Sequence, residues 1–251
     1  MSNNEKQTNN ETRDSFTSKT GFILACIGSA VGMGNIWLFP YRVGQFGGAA
    51  FLIPYIIFIV LLGYTGLMGE FAFGRMTQTG PIGSFKKALE TRNKSWGGFL
   101  GIIPVIGAFG IAVGYAVVVG WFLRFLGGFI TGSAMSAADS GAYFGELASP
   151  FGSIIWHLLA LILVSIVLIS GISKGIETMN KIMMPAFYIL FVIVMVRVFM
   201  LDGAFEGIKY LVVPKWSSLM EPKTWIYALG QAFFSLSLAG FGMIVYGSYL
   251  K

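Results

Sequence analysis

The 251-residue sequence holds one cysteine and one histidine. With Cys26 alone there is no internal disulfide framework, and with His157 alone no Cys/His zinc site can be assembled. Charge is also scarce: Asp, Glu, Lys and Arg together make up 11%, against about 25% in a typical soluble domain. By contrast, 55% of the residues are hydrophobic, including 23 Phe, and there are 34 Gly. A soluble core of this size cannot hide so much apolar surface behind so few charges, and a disordered chain fails on the same ground. What remains is an integral membrane protein. The net charge of +6 does not argue for nucleic acid, because the basic residues lie between apolar runs and not on one face.

A membrane helix needs about 20 mostly apolar residues. Reading charges as punctuation predicts six of them: Gly21 to Tyr41, Phe51 to Phe73, Gly97 to Leu123, Phe151 to Ser173, Ile182 to Leu201 and Trp225 to Leu250. Residues 1–19 are polar and mixed in charge. They read as a cytoplasmic tail, not a signal peptide, ahead of a membrane domain over 20–251. The Gly132–Pro150 stretch reads as an outer loop, and Asp202–Thr224 as a loop with a short surface helix. Placing the N-terminus inside puts 11 of the 17 Lys and Arg on the inner side, most of the bias coming from Arg75 to Lys94. That asymmetry predicts a multi-pass protein with a cytoplasmic N-terminus. An anionic-lipid contact at the same loop is a second reading of those charges.

Two apolar runs are interrupted. The first reads Gly28-Ser29-Ala30-Val31-Gly32-Met33-Gly34-Asn35, with Pro40 soon after. Glycine weakens a helix by about 1 kcal/mol relative to Ala. An unwound centre frees carbonyls for a cation and N–H groups for an anion, and Asn35 adds a neutral oxygen. The sixth run carries Ser235, Ser237, Gly240 and Gly242 in its middle. Two readings stand side by side here. Gly28-x-x-x-Gly32 is the small-xxx-small spacing of close helix packing, while paired interrupted helices mark a transporter's midplane site.

At these residues the chain resembles the neurotransmitter:sodium symporters, whose architecture is the LeuT-type inverted-repeat fold. The strings that carry the resemblance are Gly28–Asn35 with Ile36–Tyr41, Gly47–Tyr55, Glu70 with Gly74-Arg75, Gly171–Glu177 and Gly230–Leu238. It implies an all-α membrane protein with six helices, the first and sixth unwound at mid-membrane. These would be one repeat plus the first helix of the next. It further implies sodium-coupled symport of an amino acid or related amine across the plasma (inner) membrane by alternating access.

By position, the resemblance assigns sodium-binding roles to the carbonyls of Gly28, Ala30 and Val31, the Asn35 side chain and Ser235. The substrate carboxylate would meet the N–H groups of Met33 and Gly34 and the Tyr115 hydroxyl. Its amine would meet carbonyls of Ala30, Phe234 and Ser235 and the Ser237 hydroxyl, with Ile111 and Phe234 against its side chain. Arg13, Phe16, Ser248 and Tyr249 match a cytoplasmic gate. Glu70 and Gln231 match structural positions, Glu70 beside the unwound sixth helix. Such neutral oxygens and N–H donors are what a zwitterion needs at mid-membrane. Sodium is implied as the coupling ion, no organic cofactor is, and chloride dependence, substrate identity and oligomeric state are left open.

The sequence departs from the family at Leu38, where an outer-gate Arg is common, and at Ala239-Gly240-Phe241-Gly242. Gly240 stands where many bacterial members have an aromatic floor, so either the pocket is deeper or Phe241 replaces that ring. The family has about twelve helices and this chain six, so it is expected to be the N-terminal half of a longer transporter. A non-transporting or regulatory half that pairs with another membrane protein is the alternative. His157 and Cys26 read as packing residues. No run carries a metal-ligand cluster or a nucleophile beside a base, so an enzyme is not expected, and no filter string points to a channel.

Overall fold

A computed structural model describes residues 15–137 and 139–250, all helix and connection. In chain order the helices are α1 (Lys19–Ala30), α2 (Gly34–Gln45), α3 (Ala49–Thr77), α4 (Pro81–Glu90), α5 (Gly97–Thr131), α6 (Ser140–Ala148), α7 (Ile154–Ile169), α8 (Ile172–Phe199), α9 (Ala204–Val212), α10 (Trp216–Leu219), α11 (Pro222–Ser235) and α12 (Gly242–Ser248). Among the described residues α3, α5 and α8 are each long and apolar enough to cross a membrane. The pair α1–α2, bent by 57°, makes a fourth span if counted as one. The apolar α7 has only 16 residues, and α11 and α12 divide the sixth apolar run between them. Their flanks expose Leu, Ile, Val and Phe in large numbers. That is how a multi-pass membrane protein meets lipid, where apolar side chains gain nothing by turning inward.

Several predicted boundaries move, chiefly where charged residues find partners inside a helix. The fifth run was expected from Ile182, but α8 starts ten residues earlier at Ile172, with Gly171 in a left-handed conformation (φ +81°) just before it. The fourth correspondingly stops at Ile169 rather than Ser173. Lys174, Glu177 and Lys181 are therefore inside a helix, tolerated because Glu177 is paired. Similarly α5 continues past Arg124, whose guanidinium lies over the rings of Tyr143 (5.1 Å) and Trp156 (5.8 Å).

The helices pack as α3 against both α11 and α12, α1 against α8, and α5 against α4 and α7. Val43, Phe46, Phe51 and Ala228 form a buried cluster joining α2, α3 and α11, supported by Phe39 and Tyr55. Below it, α3 and α12 touch backbone to backbone. A Cβ on Gly74 would collide with the Ile244 carbonyl, and one on Gly247 would stand 2.6 Å from the Phe71 carbonyl oxygen. Glycine at both positions is what lets the helices meet so closely. The α2–α11 contact is also clasped by Arg42, whose guanidinium sits 4.0 Å over the Tyr227 ring.

Candidate functional site

The first break begins where α1 stops at Ala30. Val31 is extended (φ −83°, ψ 91°), though its N–H still donates to the Ile27 carbonyl. The following carbonyls have no further helical turn to accept. The chain resumes helix at Gly34 with a π-turn over Gly34–Leu38, a device common at functional positions. Asn35 spans the break: its amide N–H donates to the Gly32 carbonyl at 2.9 Å and its side-chain Nδ2 to the Ala30 carbonyl at 2.9 Å.

The sixth-run break covers residues 236–241. Here Ser237, Ala239 and Phe241 all have positive φ (52°, 64° and 53°), a conformation that costs a non-glycine residue of order 1 kcal/mol or more. The strain is held by partners. The Ala239 N–H donates to Glu70 Oε1 on α3 at 3.0 Å, and the Leu238 N–H to the Phe233 carbonyl at 3.1 Å. Glu70 is buried.

Side chains join the two breaks. Ser235 Oγ donates to Asn35 Oδ1 at 3.0 Å and accepts from the Tyr55 hydroxyl at 3.1 Å. Gln231 Nε2 donates to Ser235 Oγ (3.4 Å) and the Gly34 carbonyl (3.5 Å). Ser237 Oγ donates to the Ser29 carbonyl at 2.9 Å. Facing these is Tyr115 of α5, whose hydroxyl lies against Gly32 and the Gly34 backbone. Between them is a cavity of about 660 Å³, within the usual range for a small-molecule site.

The structure distributes the sequence-assigned residues unevenly around this cavity. Gly28, Ala30, Val31, Ile111, Tyr115, Phe234 and Ser237 line it. Gly34, Asn35 and Ser235 form the hydrogen-bonded seam beside it. Met33, assigned through its backbone N–H, also borders a separate apolar cavity of about 540 Å³ with Trp37, Trp121 and Phe125. Gly240 lines the main cavity. Phe241 does not replace the missing floor ring, since it packs on Phe85 of α4 at 5.5 Å between centroids. Sequence reasoning missed Ser29, Gly32, Ala108, Phe233 and Leu238 in the lining, and Tyr55 in the seam. Phe233 and Leu238 lie within two residues of assigned positions, so a wider window on the sixth-run break would have included them. Tyr55 stood in the Gly47–Tyr55 string that carries the family resemblance, but nothing local tied it to Ser235.

At the α1 end away from the break, Phe16 packs edge-on against Phe22 (5.2 Å) and Tyr246 (5.7 Å). Ser248 is buried and donates to the Val245 carbonyl at 2.6 Å. Arg13 lies outside the described residues. Sequence reasoning also missed Glu177 here. Its carboxylate is fully buried, accepts from Thr17 N–H and Oγ1 (2.7 Å each) and Ser18 Oγ (2.9 Å), and pairs with Lys181 at 2.7 Å. Charge read only as punctuation conceals such a residue.

A bilayer-spanning bundle with two broken helices facing a shared cavity is the build of a secondary transporter. The chain belongs to the sodium:neurotransmitter symporter family, which it matches over residues 13–136 and 144–251. It is similar to the uncharacterized sodium-dependent transporter YhdH of Bacillus subtilis, at 41% identity over 94% of this chain and 52% of that protein. It is also similar to the human inactive sodium-dependent neutral amino acid transporter B(0)AT3, at 32% identity over 95% of this chain and 42% of that protein. Among solved structures it resembles MhsT in complex with L-phenylalanine. The TM-score is 0.84 and the identity 41%, over 94% of this chain and 54% of the other. The chain thus spans about half the length of the relatives it matches. The family is one of transporters, not enzymes, and its fold is the LeuT-type fold expected from the broken helices.

Proposed function

We propose that this chain supplies the first six helices of a sodium-coupled amino-acid symporter, with its N-terminus cytoplasmic in the plasma membrane and residues 20–251 as the membrane domain. The observation that carries the reading is the seam from Ala30 through Asn35 and Ser235 to Tyr55, set beside a 660 Å³ cavity. Its oxygens are neutral carbonyl, amide and hydroxyl groups, the donor set of a hard monovalent cation. In this reading Gly28, Ala30, Val31, Asn35 and Ser235 contribute to sodium binding. The Met33 and Gly34 N–H groups and Tyr115 receive the substrate carboxylate, and the Ala30, Phe234 and Ser235 carbonyls with Ser237 its amine. Glu70 and Gln231 hold the two breaks in place. The relatives' names and the bound L-phenylalanine of MhsT support an amino-acid substrate.

Sodium and substrate sharing one seam makes their binding mutually reinforcing, and the coupling is reciprocal. The test is equilibrium binding of labelled neutral amino acids to the longest natural polypeptide containing this chain, with sodium and with potassium. Binding should require sodium. Asn35→Ala removes one oxygen from the seam and should weaken sodium about 10- to 100-fold, the scale of a charge-assisted contact. Amino-acid binding of equal strength in potassium would overturn the symport reading and leave a non-transporting membrane component.

A further inference from the structure

The connection from α3 through α4 to α5 is the most basic stretch of the chain. Arg75, Lys86, Lys87, Arg92 and Lys94 stand against the single acid Glu90. It is also locked in shape. Ser84 is fully buried, lies 2.6 Å from Thr77 Oγ1 and donates to the Thr79 carbonyl at 3.1 Å. Lys87 Nζ donates at 2.6 Å to the Thr77 carbonyl, placing a cation on the C-terminus of α3. Helix α4 then ends in a left-handed Asn93 (φ +53°). The Asn93 N–H reaches the Glu90 carbonyl and the Lys94 N–H the Leu89 carbonyl, both at 3.0 Å. These are the paired bonds of a Schellman motif. Gly101 allows α4 to lie flush on α5, since a Cβ there would stand 2.5 Å from the Ile82 Cα.

Arg92 and Lys94 are therefore exposed on a fixed backbone, and neither forms an ion pair among the described residues. Directly beyond them Trp96 and Phe99 are exposed at 54% and 68%, so apolar surface gives way to cations within about one turn. That is the layering of a helix end at the boundary between acyl chains and headgroups. A flexible loop of the same charge suffices to set topology, so topology alone gives no reason for a capped, internally bonded shelf.

We propose that this shelf is a binding surface for anionic phospholipid headgroups, with Arg92 and Lys94 on the phosphate and Trp96 at the acyl boundary. Arginine's planar fork suits a phosphate oxygen pair. Two cations at about fivefold each, the usual surface contribution, predict about a 25-fold preference.

The test uses the longest natural polypeptide containing this chain, purified in zwitterionic detergent and titrated with phosphatidylglycerol or phosphatidylcholine, with retained lipids counted by native mass spectrometry. The wild type should retain phosphatidylglycerol selectively. Arg92→Gln with Lys94→Gln should lower that apparent affinity about 25-fold, while Lys209→Gln with Lys215→Gln leaves it within about twofold. Unchanged retention in the first variant, or an equal loss in the second, overturns the proposal. So does equal retention of phosphatidylcholine by the wild type. Should the first variant not fold, the wild type in about 0.5 M salt decides, because a headgroup contact at exposed cations is screened there and a buried lipid site is not.

Discussion

Glu177→Ala tests how the start of α1 is held. The native carboxylate accepts from one amide and two hydroxyls and pairs with Lys181. Breaking a fully buried ion pair costs about 3–5 kcal/mol, but Lys181 is 41% exposed and regains water, so the cost here falls at or below the bottom of that range. The hydroxyls of Thr17 and Ser18 are also near the surface and rehydrate. The Thr17 amide loses its acceptor, and Ser18 remains the N-cap of α1 through its 3.0 Å bond from the Gly21 N–H. The net local cost is about 2–3 kcal/mol, which is about 25- to 150-fold in an opening equilibrium. Hydrogen exchange by mass spectrometry should show that acceleration in peptides covering residues 15–22, while the core around Phe51 exchanges as before. Glu177→Gln keeps the acceptor oxygen and should show a smaller change. If residues 15–22 exchange at the wild-type rate in Glu177→Ala, the carboxylate does not hold α1 and the reasoning fails.

Gly74→Ala should lower thermal stability in detergent by more than about 3 kcal/mol, because its methyl meets the Ile244 backbone, which cannot step aside. Gly107→Ala in α5 has nothing within 4 Å of the new methyl and should be neutral or gain about 0.5–1 kcal/mol of helix propensity. Equal melting of the two variants would sink this packing account. Gly240→Phe should fill the cavity floor and shift binding toward smaller amino acids; competition assays that keep the wild-type size ranking would show that Gly240 does not bound the pocket. Ser237→Ala should cost about 1 kcal/mol through loss of the bond to the Ser29 carbonyl, read as a lower melting temperature, and an unchanged one would refute it.

Much of this arrangement was legible in the chain because glycine and serine inside an apolar run have few reasons to be there. Gly28 to Gly34 and Ser235 to Gly242 marked both irregular stretches, with close helix packing as the other reading, and the family resemblance turned them into a site. The seam's detail was not legible. Tyr55 reaches Ser235 across 180 residues of sequence, and no local pattern encodes such a partnership. The start of α8 was misplaced because Lys174, Glu177 and Lys181 look like a loop until Thr17 and Ser18, 160 residues away, are brought to them. The left-handed turns at Ser237, Ala239 and Phe241 were likewise hidden, since glycine stands at none of them.

The contacts on either side of each break also divide the bundle mechanically. Outside the break, α2 and α11 are clasped to one another by Arg42 on Tyr227 and by the aromatic cluster with Phe51. Beyond the breaks the partners change: α12 is married to α3 through Gly74 and Gly247, whereas α1 leans on α8 and is pinned there by Glu177. The first and sixth helices thus share an upper body, while below it each takes a different principal partner and they meet chiefly through Phe16 on Tyr246. Of the lower arms, α12 is fastened by backbone contact, while α1 buries only Gly21 and Ala25 and is held by Glu177 and by edge-on contacts of Phe16 and Phe22 with Tyr246 and Phe71. The two arms are thus fastened by different chemistry: one methyl group at Gly74 would prise α12 away, whereas loss of one carboxylate at Glu177 would loosen α1, the arm that carries Gly28 and Ala30 to the cavity.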